Sequence, residues 1–176
     1  MTTKHGYILA LVLVLFSHKF CAGTEIDDLS LWQPSLIEKE SAKQGWPDGY
    51  PNAIGKKGER GLCQIRRKVW SWATKCMHGR SISYGRAFEP ELNKRVGLWL
   101  LKWNRRTLRR PDFLGREPSL EQVLAAYNWG IGNLRKVGYR VSKVPSSTKQ
   151  YIKDIKRIRA RRDAKDYQHG TRERYR

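Results

Sequence analysis

A chain of 176 residues with seven tryptophans, eight tyrosines and four phenylalanines has the material for one domain with a sizeable core, which excludes a disordered tail or a small disulfide-stapled scaffold. Its 36 lysines and arginines against 16 acids give a formal charge of +20, and so extreme a balance narrows the partners to nucleic acid, an anionic membrane or an acidic polymer such as a cell wall.

The first 23 residues have the form of a secretory signal peptide: Lys4 and His5, the apolar run Tyr7 to Phe16, and the small residues Cys21-Ala22-Gly23 ahead of the acidic Glu25, Asp27 and Asp28. The run is short for a transmembrane span, and His18-Lys19-Phe20 is a poor lipidation context before Cys21. The expectation is cleavage near Gly23 and export to the periplasm or cell-wall space. Cys63 and Cys76 then remain, an even pair in a compartment that tolerates disulfides, but both fall on apolar patterns that predict buried thiols. The four histidines are scattered, so no zinc-like spacing exists and no metal or other cofactor is expected.

After a short acidic lead-in that docks Leu29, Leu31 and Trp32, Pro34 opens a helix at a position where a missing N–H costs nothing. Leu36, Ile37 and Glu40 then share one face, which places a carboxyl beside leucine and isoleucine, while Glu38 points elsewhere as an ordinary solvated glutamate. Partial desolvation raises a carboxyl's pKa, as a general acid near neutrality requires. An end-of-helix glutamate paired with one of the many cations is the bland alternative.

Residues 41–61, rich in Gly, Pro, Asn and Asp, form a long loop carrying Trp46 and Tyr50, and loops of that length in a compact domain tend to be functional. Gly55, Gly58 and Gly61 lack the Gly-Lys-Ser/Thr ending of a phosphate loop. Ile54-Gly55-Lys56-Lys57-Gly58 does look like the GxxG loop of KH modules, which makes a basic nucleic-acid-binding protein the alternative of another class. The leader and the lack of strand patterns weigh against it, and no nucleic acid is expected as partner.

Helical periodicity dominates the remainder of the chain. Val69, Trp72, Ala73 and Cys76 make a stripe over 66–76, and Val96, Trp99, Leu100 and Trp103 another over 91–104. Ser119 and Gln122 form a capping-box pattern before Leu120, Val123, Leu124 and Tyr127, and Gly130 stops that helix. A last helix from about Thr148 buries Tyr151, Ile152, Ile155 and Ile158, beyond which residues 159–176 lack an apolar face and are expected to fray as a basic tail. No convincing period-two strand occurs, so the fold class is all-α.

Five motifs stand in a telling order: Ile37-x-x-Glu40-Ser41, Gly61-Leu62-Cys63-Gln64-Ile65, Asn93-x-x-x-Gly97-Leu98-Trp99-Leu100, Ala125-Ala126-Tyr127-Asn128-x-Gly130 and Pro145-x-x-Thr148-x-x-Tyr151. The series resembles the soluble-type lytic transglycosylases (SLT) of bacterial cell walls, relatives of goose-type lysozyme. The resemblance spans roughly residues 31 to 158 and implies a lysozyme-like single domain with a substrate groove, occupying 24–158 between the leader and the tail.

By that resemblance Glu40 is the catalytic acid and Ser41 orients it or its substrate. Gln64 hydrogen-bonds the sugar chain, Tyr127 and Asn128 face Glu40 across the groove, and Tyr151 closes the far wall. Tyr127 on an apolar stripe also reads as core, Asn128 as a helix cap, and Asn93 and Gly97 as helix packing. Two departures stand out: Cys63 occupies a place usually held by methionine and is expected to alter a sugar subsite, and Ser147 stands where many relatives carry glutamate.

The implied reaction uses one glutamate for both proton transfers. It protonates the oxygen between N-acetylmuramic acid and N-acetylglucosamine, then takes a proton from the muramic acid's C6 hydroxyl, leaving a 1,6-anhydro ring. Two flanking carboxylates would instead make a hydrolysing muramidase, and Asp48 and Glu59 are the nearby candidates, both read as solvated loop charges. Peptidoglycan strands are the implied partner, with the basic tail free to hold anionic wall polymers or a membrane surface.

Overall fold

The computed structural model describes residues 28–173, with side chains as far as 168. The expected leader, with Cys21, His5 and His18, lies outside the described residues, as do residues 24–27 of the acidic lead-in and the last three residues. Asp28 caps a 3₁₀ turn, Leu29–Trp32, by accepting from the Ser30 N–H at 2.9 Å. That turn runs straight into α1, Gln33–Ser41, whose first turn holds Pro34. A long irregular segment then leads to α2, Arg67–His78, which ends on Gly79 in the left-handed conformation. After a 3₁₀ turn at Tyr84–Phe88 come α3, Pro90–Arg109; α4, Leu120–Trp129; α5, Ile131–Lys136; and α6, Ser146–Glu173.

Among the described residues there is no strand, only isolated bridges such as Ile54 with Arg60 and Arg60 with Ile65. The fold is all-α, as the periodicities predict, and the KH-like alternative has no sheet to stand on. Nor is any described helix long and apolar enough to cross a membrane.

α4 is the middle of the bundle, packed against α3, α5 and α6. Its start carries the capping box expected from Ser119 and Gln122, with both reciprocal hydrogen bonds made. Val123, Leu124 and Ala125 are fully buried within it, and the alanine lets its neighbours come close. Leu36, Trp70, Val96, Leu101, Leu108, Leu134 and Ile155 complete the core, each large side chain contributing roughly 1.5–3 kcal/mol by burial.

Three expectations about faces fail. On α2 the buried residues are Trp70, Ala73 and Thr74, while Val69, Trp72 and Cys76 are exposed, so the helix is turned away from the expected stripe and Cys76 is no core thiol. Trp70 turns inward because its Nε1 donates to the Ile82 carbonyl at 3.0 Å, tying α2 to the loop after it. Glu38 is not solvated: its side chain is only 13% exposed and sits between Arg161 and Arg162.

The third failure is the tail, which does not fray at Ile158 but continues as helix to Glu173. Its cations find fixed partners on the amino-terminal segment. Arg159 donates to the Leu31 carbonyl and lies over the Trp32 ring, and Arg162 bridges Glu38 and Asp48, the latter at 2.7 Å. Charge pairing, not apolar burial, carries the helix onward. Together with Lys39 to Asp154 at 2.7 Å, these contacts clamp α1 onto α6.

Candidate active site

The clamp matters because α1 carries Glu40. Leu36 and Ile37 bury the helix face beneath it, and the carboxyl emerges at the wall of a groove of about 680 Å³. Charged and polar residues, Glu40, Glu59, Gln64, Lys57 and Arg66, line it together with Val69, Trp72, Leu100, Trp103 and Asn104 and with residues from the α4–α5 junction, among them Tyr127, Asn128 and Asn133. Burial pushes the Glu40 carboxyl up to about 7, against the opposing pull of a hydrogen bond from Tyr151 and of the Lys39 charge. A carboxyl poised there exchanges its proton near neutrality, which is what general acid and base work requires.

Tyr151 has a closer role than the wall expected of it: its Oη donates to Glu40 Oε1 at 2.6 Å. Burial holds the Tyr151 phenol well above its ordinary pKa, so it stays a donor. Tyr127 hydrogen-bonds elsewhere. Its Oη donates to the Cys63 carbonyl at 2.9 Å and ties α4 to the Gly61–Ile65 turn, while the side chain still lines the groove. Asn128, exposed at the end of α4, accepts from Thr148 Oγ1 at 3.0 Å and lines the groove, its amide N–H group left for a ligand.

Ser41 is not in the groove. Its buried Oγ donates back to the Ile37 carbonyl at 3.1 Å, and its own carbonyl accepts the Tyr50 N–H at 2.9 Å, so it fastens the loop to the end of α1. Gln64 lines the groove with φ of 46°, in the left-handed region that favours glycine. Its Nε2 donates to the Gly61 and Ala53 carbonyls at 2.8 and 3.2 Å, so its Oε1 is what it can offer a sugar.

The turn beneath Gln64 is built on Asn93, fully buried on α3. Its Oδ1 accepts the Cys63 N–H at 2.8 Å and its Nδ2 donates to the Ala87 and Arg60 carbonyls. Cys63 is likewise fully buried, seated where Gly97 leaves no Cβ in its way, so its expected effect on a sugar subsite finds no contact with the groove. Ser147 is exposed and does not line the groove either.

The two candidate second carboxylates separate. Asp48 is 77% exposed and paired with Arg162, away from the groove. Glu59 is the opposite of a solvated charge: its side chain is 16% exposed, it lines the groove with Glu40, and Arg66 Nε donates to its Oε1 at 2.9 Å.

The apolar side of the groove was missed by periodicity. Trp72 stands edge-on to Trp99 and Trp103, with ring centroids 5.3 and 4.8 Å away, and remains 38% exposed. A surplus of tryptophan on α2 and α3, beyond what one core needs, is the signal that points to it. Among the described residues no cluster of three or more His, Cys, Asp or Glu offers a metal site.

A family model described as Transglycosylase SLT domain matches residues 35–150, a span that begins just before Glu40 and ends just before Tyr151. No curated protein and no solved structure matches the chain.

Proposed function

The chain belongs to the transglycosylase SLT domain family, whose chemistry is transglycosylase-type degradation of peptidoglycan, and from that footing we propose that it is an exported lytic transglycosylase with Glu40 as its single proton carrier. The observation that carries the reading is the Glu40 carboxyl: half-buried at a groove wall, pushed up to about 7, and held by the Tyr151 hydroxyl. With glycan in the groove, Glu40 protonates the oxygen joining N-acetylmuramic acid to N-acetylglucosamine, and the C1–O bond breaks with its electron pair leaving on that oxygen. The resulting carboxylate, steadied by the Tyr151 hydrogen bond, takes the proton of the muramic acid's C6 hydroxyl as that oxygen closes on C1. No water is consumed.

Peptidoglycan strands are the substrate of this reading, with Gln64 and Asn128 as polar partners and Tyr127 as the post that sets the turn carrying Gln64. The signal-like pattern of the first 23 residues supports the export in this reading. The outer cations of α6 supply the attraction to anionic wall polymers or head groups.

Mass spectrometry of fragments released from purified peptidoglycan tests this. Products should carry the anhydro ring, one water lighter than hydrolysed ends, and Glu40→Gln should abolish them. Reducing ends alone would make the enzyme a muramidase.

A further inference from the structure

The loop before α2 is constructed around a carboxylate. Gly55 and Glu59 close it by the Gly55 N–H donating to the Glu59 carbonyl at 2.9 Å, and Gly58 turns it at φ of 75°. A Cβ at Gly55 would stand 2.5 Å from Glu59 Oε2 and 2.6 Å from Gln64 Oε1, so a side chain there would push both carboxylate and amide out of place. The Lys57 N–H donates to Oε2 at 2.9 Å while Arg66 holds Oε1. Both oxygens are thus fixed, in a side chain that lines the groove with Glu40.

The environments of the two carboxyls push them apart. Burial raises Glu59 too, but its own N–H, that of Lys57 and the Arg66 guanidinium outweigh this and hold it below its ordinary value. Glu40 is raised chiefly by burial, opposed by Tyr151 and Lys39, and the charge of Glu59 adds to the upward push. The other groups around Glu40 are the Tyr127 and Tyr151 phenols and the Cys63 thiol, all shifted by burial toward their neutral forms. Lys39 is engaged with Asp154. Around Glu59 stand Lys57, Arg66 and the Tyr84 phenol, whose Oη donates to the Gly58 and Ile65 carbonyls. A pair of carboxyls with separated titrations is the arrangement that divides proton transfer from charge stabilisation.

We propose that Glu59 is the fixed counter-charge of the reaction: an anion held in the groove that stabilises the positive charge on the sugar ring as Glu40 gives up its proton. The inference rests on the transglycosylase reading and deepens it. Glu59 forms no bond and moves no proton. As the C1–O bond breaks, the ring oxygen shares the positive charge, and that charge is discharged when the C6 oxygen attacks C1 and its proton passes to Glu40. Glu59 offers a full charge already held in place by the Lys57 N–H and Arg66, so little reorganisation is needed when the transition state forms.

The test is a set of variants assayed on purified glycan strands for products, kcat, KM and pH profile, beside thermal unfolding. Glu59→Gln keeps the shape and an acceptor but loses the charge, so kcat for anhydro product should fall on the order of tenfold or more with KM within about twofold, a loss confined to the transition state. The alkaline limb set by Glu40 should also move to lower pH. Glu59→Asp should recover part of both. Arg66→Met leaves Glu59 charged and less neutralised, so its limb should move to higher pH, which keeps the proposal testable if Glu59→Gln folds poorly. A mere loop staple predicts equal losses of melting temperature in Glu59→Gln and Arg66→Met with the limb unmoved, and that result overturns the proposal. So does the selective loss of reducing-end products in Glu59→Gln, which would make Glu59 a base for water. Absence of anhydro ends from wild-type digests overturns the transglycosylase reading itself, and the limb shifts still decide the role of Glu59.

Discussion

Glu40→Gln should stabilise the folded protein, and only above a definite pH. Burial lifts the Glu40 carboxyl from an ordinary value of 4.5 to about 7. Between those values the folded protein holds a proton that the unfolded chain has released, so its stability falls as pH rises through the window. Below 4.5 the group is neutral in both states and contributes nothing. Above 7 it is charged in both, and the full cost of ionising it in place is felt. One pH unit is worth about 1.4 kcal/mol, so the wild type should lose about 3 kcal/mol from this group alone between about pH 4.5 and 8. Glutamine retains an acceptor for the Tyr151 hydroxyl and titrates nowhere. The difference between the two proteins' unfolding free energies, from urea melts at half-unit steps from about pH 4 to 9, therefore isolates Glu40 from every other titrating group. It should be near zero at about pH 4.5 and reach about 3 kcal/mol in favour of glutamine by about pH 8. Over the same range Glu40→Gln should lose on the order of a hundred- to ten-thousand-fold in rate. Parallel stability curves would refute the buried proton, and with it the physical basis for Glu40 as the acid.

Tyr151→Phe removes the hydrogen bond that favours the Glu40 carboxylate, so the alkaline limb of activity should move to higher pH while the rate falls; an unmoved limb would show the 2.6 Å contact to be idle. Truncation after Ile158 strips Arg161 and Arg162 from a nearly buried Glu38 and should cost about 1–3 kcal/mol, with activity on soluble glycans falling as α1 loosens, whereas truncation after Asp166 should leave both intact; unfolding melts of the two truncations decide it. Trp72→Ala should weaken binding of long glycan strands with little loss of melting temperature. Trp70→Ala, fully buried on the same helix, should cost about 3–5 kcal/mol, and equal losses of stability would return Trp72 to the core.

What the sequence made legible, and what it hid, divides along a physical line. Signals closed within one turn were readable: the Ser119 and Gln122 capping box is a reciprocal pair of bonds three residues apart, and the structure makes both. The carboxyl beside Leu36 and Ile37 was readable for the same reason, since a helix fixes which neighbours share a face. Periodicity fails where an apolar side chain is meant for a ligand. Val69 and Trp72 look like core because they are as apolar as core, but what covers them is the groove, and the hydrogen bond from Trp70 to Ile82 turns the helix accordingly.

Partners distant in sequence were equally hidden. Nothing near Glu38 announces that Arg161 and Arg162 enclose it from more than a hundred residues away, so an isolated glutamate reads as solvated and an arginine-rich helix end reads as frayed. The same blindness hid the partners of Tyr127 and Tyr151, because the Cys63 carbonyl and the acid lie more than sixty residues away from each in sequence. Glu59 shows what this costs functionally. Its neighbours Gly55, Lys57 and Arg66 are local, yet their composition is that of any polar loop, and only the closure of that loop turns the backbone N–H of Lys57 and the Arg66 guanidinium onto one carboxylate. A charge held by fixed donors in the same groove as a proton-carrying acid needs little reorganisation to act on whatever occupies that groove.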